Sequence, residues 1–119
     1  MTWNVEFTDE FGEWWENLTE IEQDEVYAKV GLLVRRGPLL RFPVSDVIES
    51  SRHFPTMREL RVSVQGRQIR IFYAFDPRST AILLIGGDKT GEWKRFYRKM
   101  IPVADELYDV YLREIRRNE

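Results

Sequence analysis

Two arginines on either side of Gly66, Arg61 and Arg70, each interrupt a run of alternating apolar residues. Leu60, Val62 and Val64 share one parity and Arg61, Ser63 and Gln65 the other. After Gly66, Ile69, Ile71, Tyr73 and Phe75 alternate with Arg70, Phe72 and Ala74. If these runs are neighbouring strands, alternation puts both guanidiniums on the face opposite the aliphatic one, making a positive site the size of a phosphate. A guanidinium stays charged and forks two N–H donors toward phosphate oxygens, so it stabilises charge well and moves protons poorly. The competing reading is of two solvated charges on an open sheet face.

The surroundings favour a polyanion. Between Arg52 and Lys99 there are eleven Lys/Arg and four Asp/Glu, whereas the first thirty residues hold nine acids and one base, Lys29. The basic block runs RELRVSVQGRQIRIFYAFDP (Arg58 to Pro77), TAILLIGGDKTG (Thr80 to Gly91) and FYRKM (Phe96 to Met100), interleaving cations with strand-forming and aromatic residues, and RNA is the polyanion this suits. The formal net charge of −2 would by itself argue against nucleic acid, because phosphate contacts need clustered cations. Segregation answers that objection, though internal neutralisation between an acidic front and a basic middle remains the alternative.

Other chemistries are excluded or weak. There is no cysteine, so thiol nucleophiles, disulfides and thiolate zinc sites are ruled out and nothing points to an oxidising compartment. GGDKTG lacks the GxxxxGK[ST] spacing of a phosphate loop, and its glycines suit a tight turn at a strand end. Asp88 beside Lys89 is a turn residue or a local ion pair, and no second carboxylate stands at metal spacing, so no metal and no cofactor are expected. The single histidine, His53, lies in an irregular stretch and reads as a surface or packing residue in preference to a general base. No apolar run reaches the roughly 18 residues of a membrane span. MTWNVEFTDEFGEWW lacks the features of a signal peptide, so the expectation is a cytoplasmic protein beginning near Met1.

The elements that must position Arg61 and Arg70 follow from periodicity. At 119 residues, 43% hydrophobic and 32% charged, residues 1–119 fit one domain with one core. Trp3, Val5 and Phe7 alternate as a strand. Thr8 caps a helix with Phe11, Trp14, Trp15 and Leu18 on one side, and Thr19 with Glu22 forms a capping box for a second helix ending at Gly37-Pro38. Trp14 and Trp15, being adjacent, either flank a broad buried stripe or leave one ring for a partner. Residues 38–56 carry three prolines and read as an irregular connection with one short turn or strand. Three strands follow, the last being Ala81 to Ile85. A helical segment from Trp93 to Met100 is expected to break or restart at Pro102. The terminal helix would bury Val103, Leu107, Val110, Tyr111 and Ile115. The result is an α+β fold, order β-α-α-β-β-β-α, with an antiparallel sheet.

That order, together with RELRV, RQIRIFYAFDP, AILLIGGDKTG and WKRFYRKMIPVADELY, resembles the RelE/ParE toxin superfamily, within it the HigB-like, phage-derived branch. The resemblance implies the toxin of a type II toxin–antitoxin pair, an endoribonuclease that cleaves mRNA, usually on the ribosome, and is silenced by a helix-turn-helix antitoxin, with operator DNA reached only through that antitoxin. It implies metal-independent cleavage: the ribose 2′-hydroxyl attacks the adjacent phosphate in line, leaving a cyclic phosphate. Carried over by position, Arg61 and Arg70 would hold the scissile phosphate, Lys89 would sit near the leaving group, and Tyr97 would stack on a base or act as one. Arg95, Arg98 or Lys99 could be the true occupant of the Tyr97 position. Arg58 and Arg67 are auxiliary RNA-binding candidates, with Arg95, Arg98 and Lys99. Without a histidine-centred site, acid and base fall to Lys89 and Tyr97 with shifted pKa values, or the ribosome positions the substrate. Two alternatives stay open: a ParE-like toxin that inhibits DNA gyrase, and an RNA-binding module without activity.

Overall fold

In the computed structural model, which describes residues 2–118, a five-stranded sheet carries helices on both faces. The elements in order are β1 (Val5–Phe7), α1 (Asp9–Glu16), α2 (Glu20–Arg36), a 3-10 turn (Gly37–Leu39), β2 (Ser45–Val47), β3 (Arg58–Val64), β4 (Arg67–Phe75), β5 (Ala81–Asp88) and α3 (Trp93–Arg117). The α+β class and the expected order hold, and the irregular stretch contributes the short edge strand β2. The sheet order is β1-β5-β4-β3-β2. It is mixed: β1 runs parallel to β5, and the other pairs are antiparallel.

Local chemistry sets the helix starts. The Thr8 hydroxyl accepts from Phe11 N–H at 3.0 Å, and Thr19 and Glu22 complete the expected capping box at 3.2 and 2.8 Å, satisfying N–H groups that a helix cannot pair internally. α1 and α2 cover the face bearing Leu60, Val62, Ile69, Ile71 and Tyr73. α3 covers the opposite face, packing on Phe72, Ala74, Ile82 and Leu84. The face expected to be open is therefore half roofed.

Two features of the sheet fix what points where. Gln65 and Gly66, both at positive φ (50° and 80°), form a two-residue turn between the paired Val64 and Arg67, the mirror-image type whose twist matches a hairpin. That turn sets the register in which Arg61 faces Arg70 directly. In β5 the register slips by one: Phe72 pairs with Ile85 but Tyr73 with Leu83. Ala81 and Leu83 belong to the α1–α2 side, whereas Ile85, two residues on, packs on the α3 side. The bulge thus transfers the odd-numbered residues of the strand end, Gly87 and then Lys89, to the face of Arg70.

Gly86 and Gly87 are strand residues, not turn residues. A Cβ on Gly86 would lie 2.5 Å from the Trp14 ring, and one on Gly87 2.7 Å from Phe96; the glycines let an aromatic ring approach each face of β5. Trp14 and Trp15 accordingly both flank the buried Phe11, and Trp15 also lines an apolar cleft of about 300 Å3 with Phe7 and Tyr27.

α3 runs unbroken through Pro102, which lies on its exposed side with Arg98, whose carbonyl loses a helical donor there. Its buried stripe is Ile101, Ala104 and Tyr108, with Leu107 and Tyr111 of the expected stripe half-buried against the same core and Val103 39% exposed. The centre of the stripe is shifted from the expected one, and Asp105 sits inside it, accepting from Ser51 Oγ at 2.5 Å and Arg52 N–H at 3.2 Å. A buried acid is invisible to apolar periodicity. Substituting Gly86→Ala is expected to destabilise the fold by about 1–3 kcal/mol through overpacking against Trp14, read as a lower urea midpoint at constant m-value.

Candidate active site on the roofed sheet face

The site is built where β3, β4, the end of β5 and the first turns of α3 meet. Arg61 and Arg70 stand side by side on adjacent strands, and α3 lays Phe96 and Tyr97 over Phe72, ring centroids 6.0 and 6.2 Å away. At the centre is a residue that the basic pattern concealed, Glu59. It shares the parity of Arg61 and is only 3% exposed. Its Oε1 accepts from the Tyr97 hydroxyl at 2.6 Å and its Oε2 from Arg61 Nε at 3.1 Å. Arg70 Nε lies 3.8 Å from Oε1, within attraction but beyond a hydrogen bond. Arg61 is held from its other side by Asp46 Oδ2 at 3.1 Å.

Arg70 is the unusual member. It is 6% exposed, donates Nη1 to the Ile69 carbonyl at 2.9 Å, and leaves Nε buried with no hydrogen-bond partner. A buried donor left unmade costs about 1–3 kcal/mol, more when charged, and the Glu59 carboxylate 3.8 Å away offsets part of that cost by attraction. Lys89 completes the set, its Nζ 5.6 Å from the centre of the Tyr97 ring. Three cations, Arg61, Arg70 and Lys89, thus face two carboxylates, Glu59 and Asp46, leaving the cluster positive.

Proton affinities follow from this packing. Burial first, then the Arg70 charge and in lesser part that of Arg61, pull Lys89 below the ordinary lysine range, with Glu59 offsetting part of the drop. Tyr97 is pushed up to about 12 by burial first, then by its hydrogen bond to Glu59 and the charge of that carboxylate, against an opposing pull from Arg70. Tyr97 is therefore a neutral phenol near neutral pH, and Lys89 is the more readily deprotonated cation.

The remaining candidates lie outside the hydrogen-bonded cluster. Arg58 has the parity of Leu60 and donates to Ser45 Oγ at 3.0 Å on the α1–α2 side. Arg67 ion-pairs with Glu22 of α2. Arg95 is paired with Glu92 at 3.7 Å on the outside of α3. Arg98 adjoins the cluster, lining a small cleft with Tyr97, Ser50 and Pro102, and Lys99 is exposed. Among the described residues none of these five forms an ion pair or hydrogen bond with Glu59, Arg61 or Arg70. His53 bonds Asp109 at 2.6 Å, about 18 Å along α3 from Tyr97 at 1.5 Å per residue. Asp88 is the turn residue, accepting from Thr90 N–H at 2.9 Å. Among the described residues no three His, Cys, Asp or Glu side chains gather as a metal site.

Known proteins share this framework. Residues 13–109 match the family model described as "Phage derived protein Gp49-like (DUF891)". The chain belongs to this Gp49-like, phage-derived family. Of Mycobacterium tuberculosis relatives, "Putative toxin HigB3" is 43% identical over 99 residues, covering 83% of this chain and 84% of the relative. "Putative toxin HigB2" is 39% identical over 100 residues, covering 83% of this chain but 49% of the relative, about half its length. The fold is that of RelE. The toxin in the intact E. coli RelBE toxin–antitoxin complex aligns with TM-score 0.53 at 13% identity over 71% of this chain and 94% of its own. The archaeal RelE–RelB complex from Pyrococcus horikoshii aligns with TM-score 0.55 at 13% identity over 76% and 99%. The Gp49-like chain is thus a HigB-like toxin with the fold of RelE.

In this Gp49-like toxin, the phenol of Tyr97 is pushed up to about 12. In Glu59→Gln the carboxylate charge disappears while burial and an accepting amide oxygen stay, so the value should fall toward 10 without reaching it, as followed by NMR of ring-labelled tyrosine. The folded value lies above the unfolded one, so the stability linked to Tyr97 is intact below pH 10 and is lost as pH rises through about 12.

Proposed function

We propose that residues 1–119 form a single toxin domain that cleaves mRNA by attack of a ribose 2′-hydroxyl on the adjacent phosphate, acting in the cytoplasm on ribosome-bound transcripts. The observation that carries this reading is the convergence of Arg61 and Arg70 from neighbouring strands with Lys89 and Tyr97 around one buried carboxylate. A phosphate seated at the solvent edge of this cluster meets two guanidiniums from neighbouring strands. Both cations stabilise the additional negative charge of the pentacovalent transition state, which is where preorganised charge accelerates a reaction.

Proton transfer is assigned from the pKa directions. A phenol pushed up to about 12 leaves almost no phenolate near neutral pH to act as base, but Tyr97 need not ionise. Its oxygen takes the proton of the 2′-hydroxyl while its own proton passes along the 2.6 Å hydrogen bond to Glu59. The 2′-oxygen bonds to phosphorus, the bond to the 5′-oxygen breaks, and Lys89, its ammonium weakened by burial and by Arg70, supplies the proton that oxygen needs. The products are a 2′,3′-cyclic phosphate and a 5′-hydroxyl. Arg61, Arg70 and Lys89 carry the neutralising charge, so the scheme requires no metal and no cofactor. Arg95, Arg98 and Lys99 on the exposed face of α3 serve RNA as diffuse backbone contacts, and Arg58 and Arg67 act in folding.

The partner proposed for silencing is a helix-turn-helix antitoxin, through which alone the toxin would meet operator DNA. That the partner is an antitoxin is supported by the complexes with RelB in which the RelE neighbours are found; its helix-turn-helix class is taken from the family resemblance.

End mapping of transcripts exposed to the purified toxin, with and without ribosomes, is the test. Cyclic phosphate and 5′-hydroxyl ends are expected; 5′-phosphate ends would instead indicate an activated water, and intact transcripts with blocked gyrase would indicate the ParE-like alternative. Arg70→Ala and Tyr97→Phe should each lower kcat by about 10²-fold or more. The acid must be protonated to act, so cleavage should decline as pH rises through the lowered Lys89 value, and Lys89→Arg, keeping the charge but moving protons poorly, should lower kcat and abolish that alkaline limb.

A further inference from the structure

The RNA-cleavage reading leaves one exposed aromatic at the site without a role. We propose that Phe42 is a stacking platform for a nucleobase flanking the scissile phosphate, with preference for a purine. Phe42 is 69% exposed. Arg61 lies over its ring, the guanidinium carbon 5.2 Å from the centroid, so the ring borders the phosphate seat. Among the described residues it is the exposed large hydrophobic in contact with either site arginine.

The platform is rigid. Arg61 cannot swing away, being held by Glu59 on one side and Asp46 on the other. The backbone around Phe42 is tied to the sheet: Arg61 N–H donates to the Val44 carbonyl at 2.8 Å, Ser45 N–H to the Arg41 carbonyl at 3.2 Å, and Leu40 is fully buried. One face of the phenyl group is thus backed by a fixed cation while the rest stays open to solvent. A large apolar side chain presented this way beside a phosphate site suits the flat face of a base, because single-stranded RNA is recognised by stacking unpaired bases on aromatic side chains. Every base has such a face, and purines have the larger one, so the contact sets a preference and not a strict sequence. Phe42 would position the substrate; it makes no bond to the reacting atoms.

The test is a series at this position, Phe42→Trp, Phe42→Leu and Phe42→Ala, assayed on ribosomes programmed with short RNAs that differ in the base beside the cut, by cleavage and by binding of the same ribosome-bound RNA with a 2′-O-methyl block at the cut. Phe42→Ala should raise KM and the dissociation constant about tenfold, the size of one base–aromatic stack, with kcat little changed. Trp should match or exceed Phe, Leu should fall toward Ala, and the purine preference should vanish in Ala. The proposal is overturned if Leu equals Phe, which would mean a merely apolar contact, or if Ala binds and cuts as wild type. Wild-type protein that binds the RNA without cutting it would refute the nuclease reading while the order of affinities still decides the stacking; failure to bind would overturn both.

Discussion

Setting Arg61 directly across from Arg70 on adjacent strands brings like charges together, an arrangement that destabilises a sheet, and the Glu59 carboxylate is the constraint that makes it tolerable. Glu59 binds Arg61, attracts Arg70 and accepts from Tyr97, so one buried acid fixes two cations and a phenol at once. Its removal would leave a nearly buried Arg70 without compensation, the circumstance in which a buried charge becomes most costly. The pair is nonetheless incomplete, because the 3.8 Å separation from Arg70 Nε leaves that donor unmade.

The scaffold transmits its own constraints to this cluster. The positive-φ pair Gln65-Gly66 fixes the β3–β4 register, and a one-residue slip there would turn every side chain of a strand to the opposite face. The bulge in β5 does the reverse deliberately, carrying Lys89 to the face it would otherwise miss. Gly87 then admits the Phe96 ring, which brings the first turns of α3 close enough for Tyr97 to reach Glu59. Turn, bulge and glycine each act on backbone geometry, yet their joint effect is the placement of three polar groups.

Much of this was legible in residue order. The alternation around Arg61 and Arg70 predicted their shared face, and Thr8, Thr19 and Glu22 predicted the caps, because both signals are local. What stayed hidden depends on packing between distant segments. Glu59 reads as one acid in a basic block until Tyr97 arrives from another element; its only sequence signal is sharing the parity of Arg61. The roof over the arginine face and the roles of Gly86 and Gly87 follow from ring contacts across the sheet. The centre of the α3 stripe is shifted, and the Asp105 inside it is buried by hydrogen bonds rather than by apolarity. Arg58 and Arg67 carried the right charge but the wrong parity, and charge alone had suggested RNA contact.

The most direct measurement is a crystal structure of the toxin with a short RNA blocked by 2′-O-methylation at the cut, so that the attacking hydroxyl is absent and the phosphate stays in place. The account predicts a phosphate oxygen within hydrogen-bond distance of the Arg70 guanidinium, a second on Arg61, and the 2′-oxygen beside the Tyr97 hydroxyl. A phosphate held instead by Arg95, Arg98 and Lys99 on the outside of α3, away from Arg61 and Arg70, would contradict it.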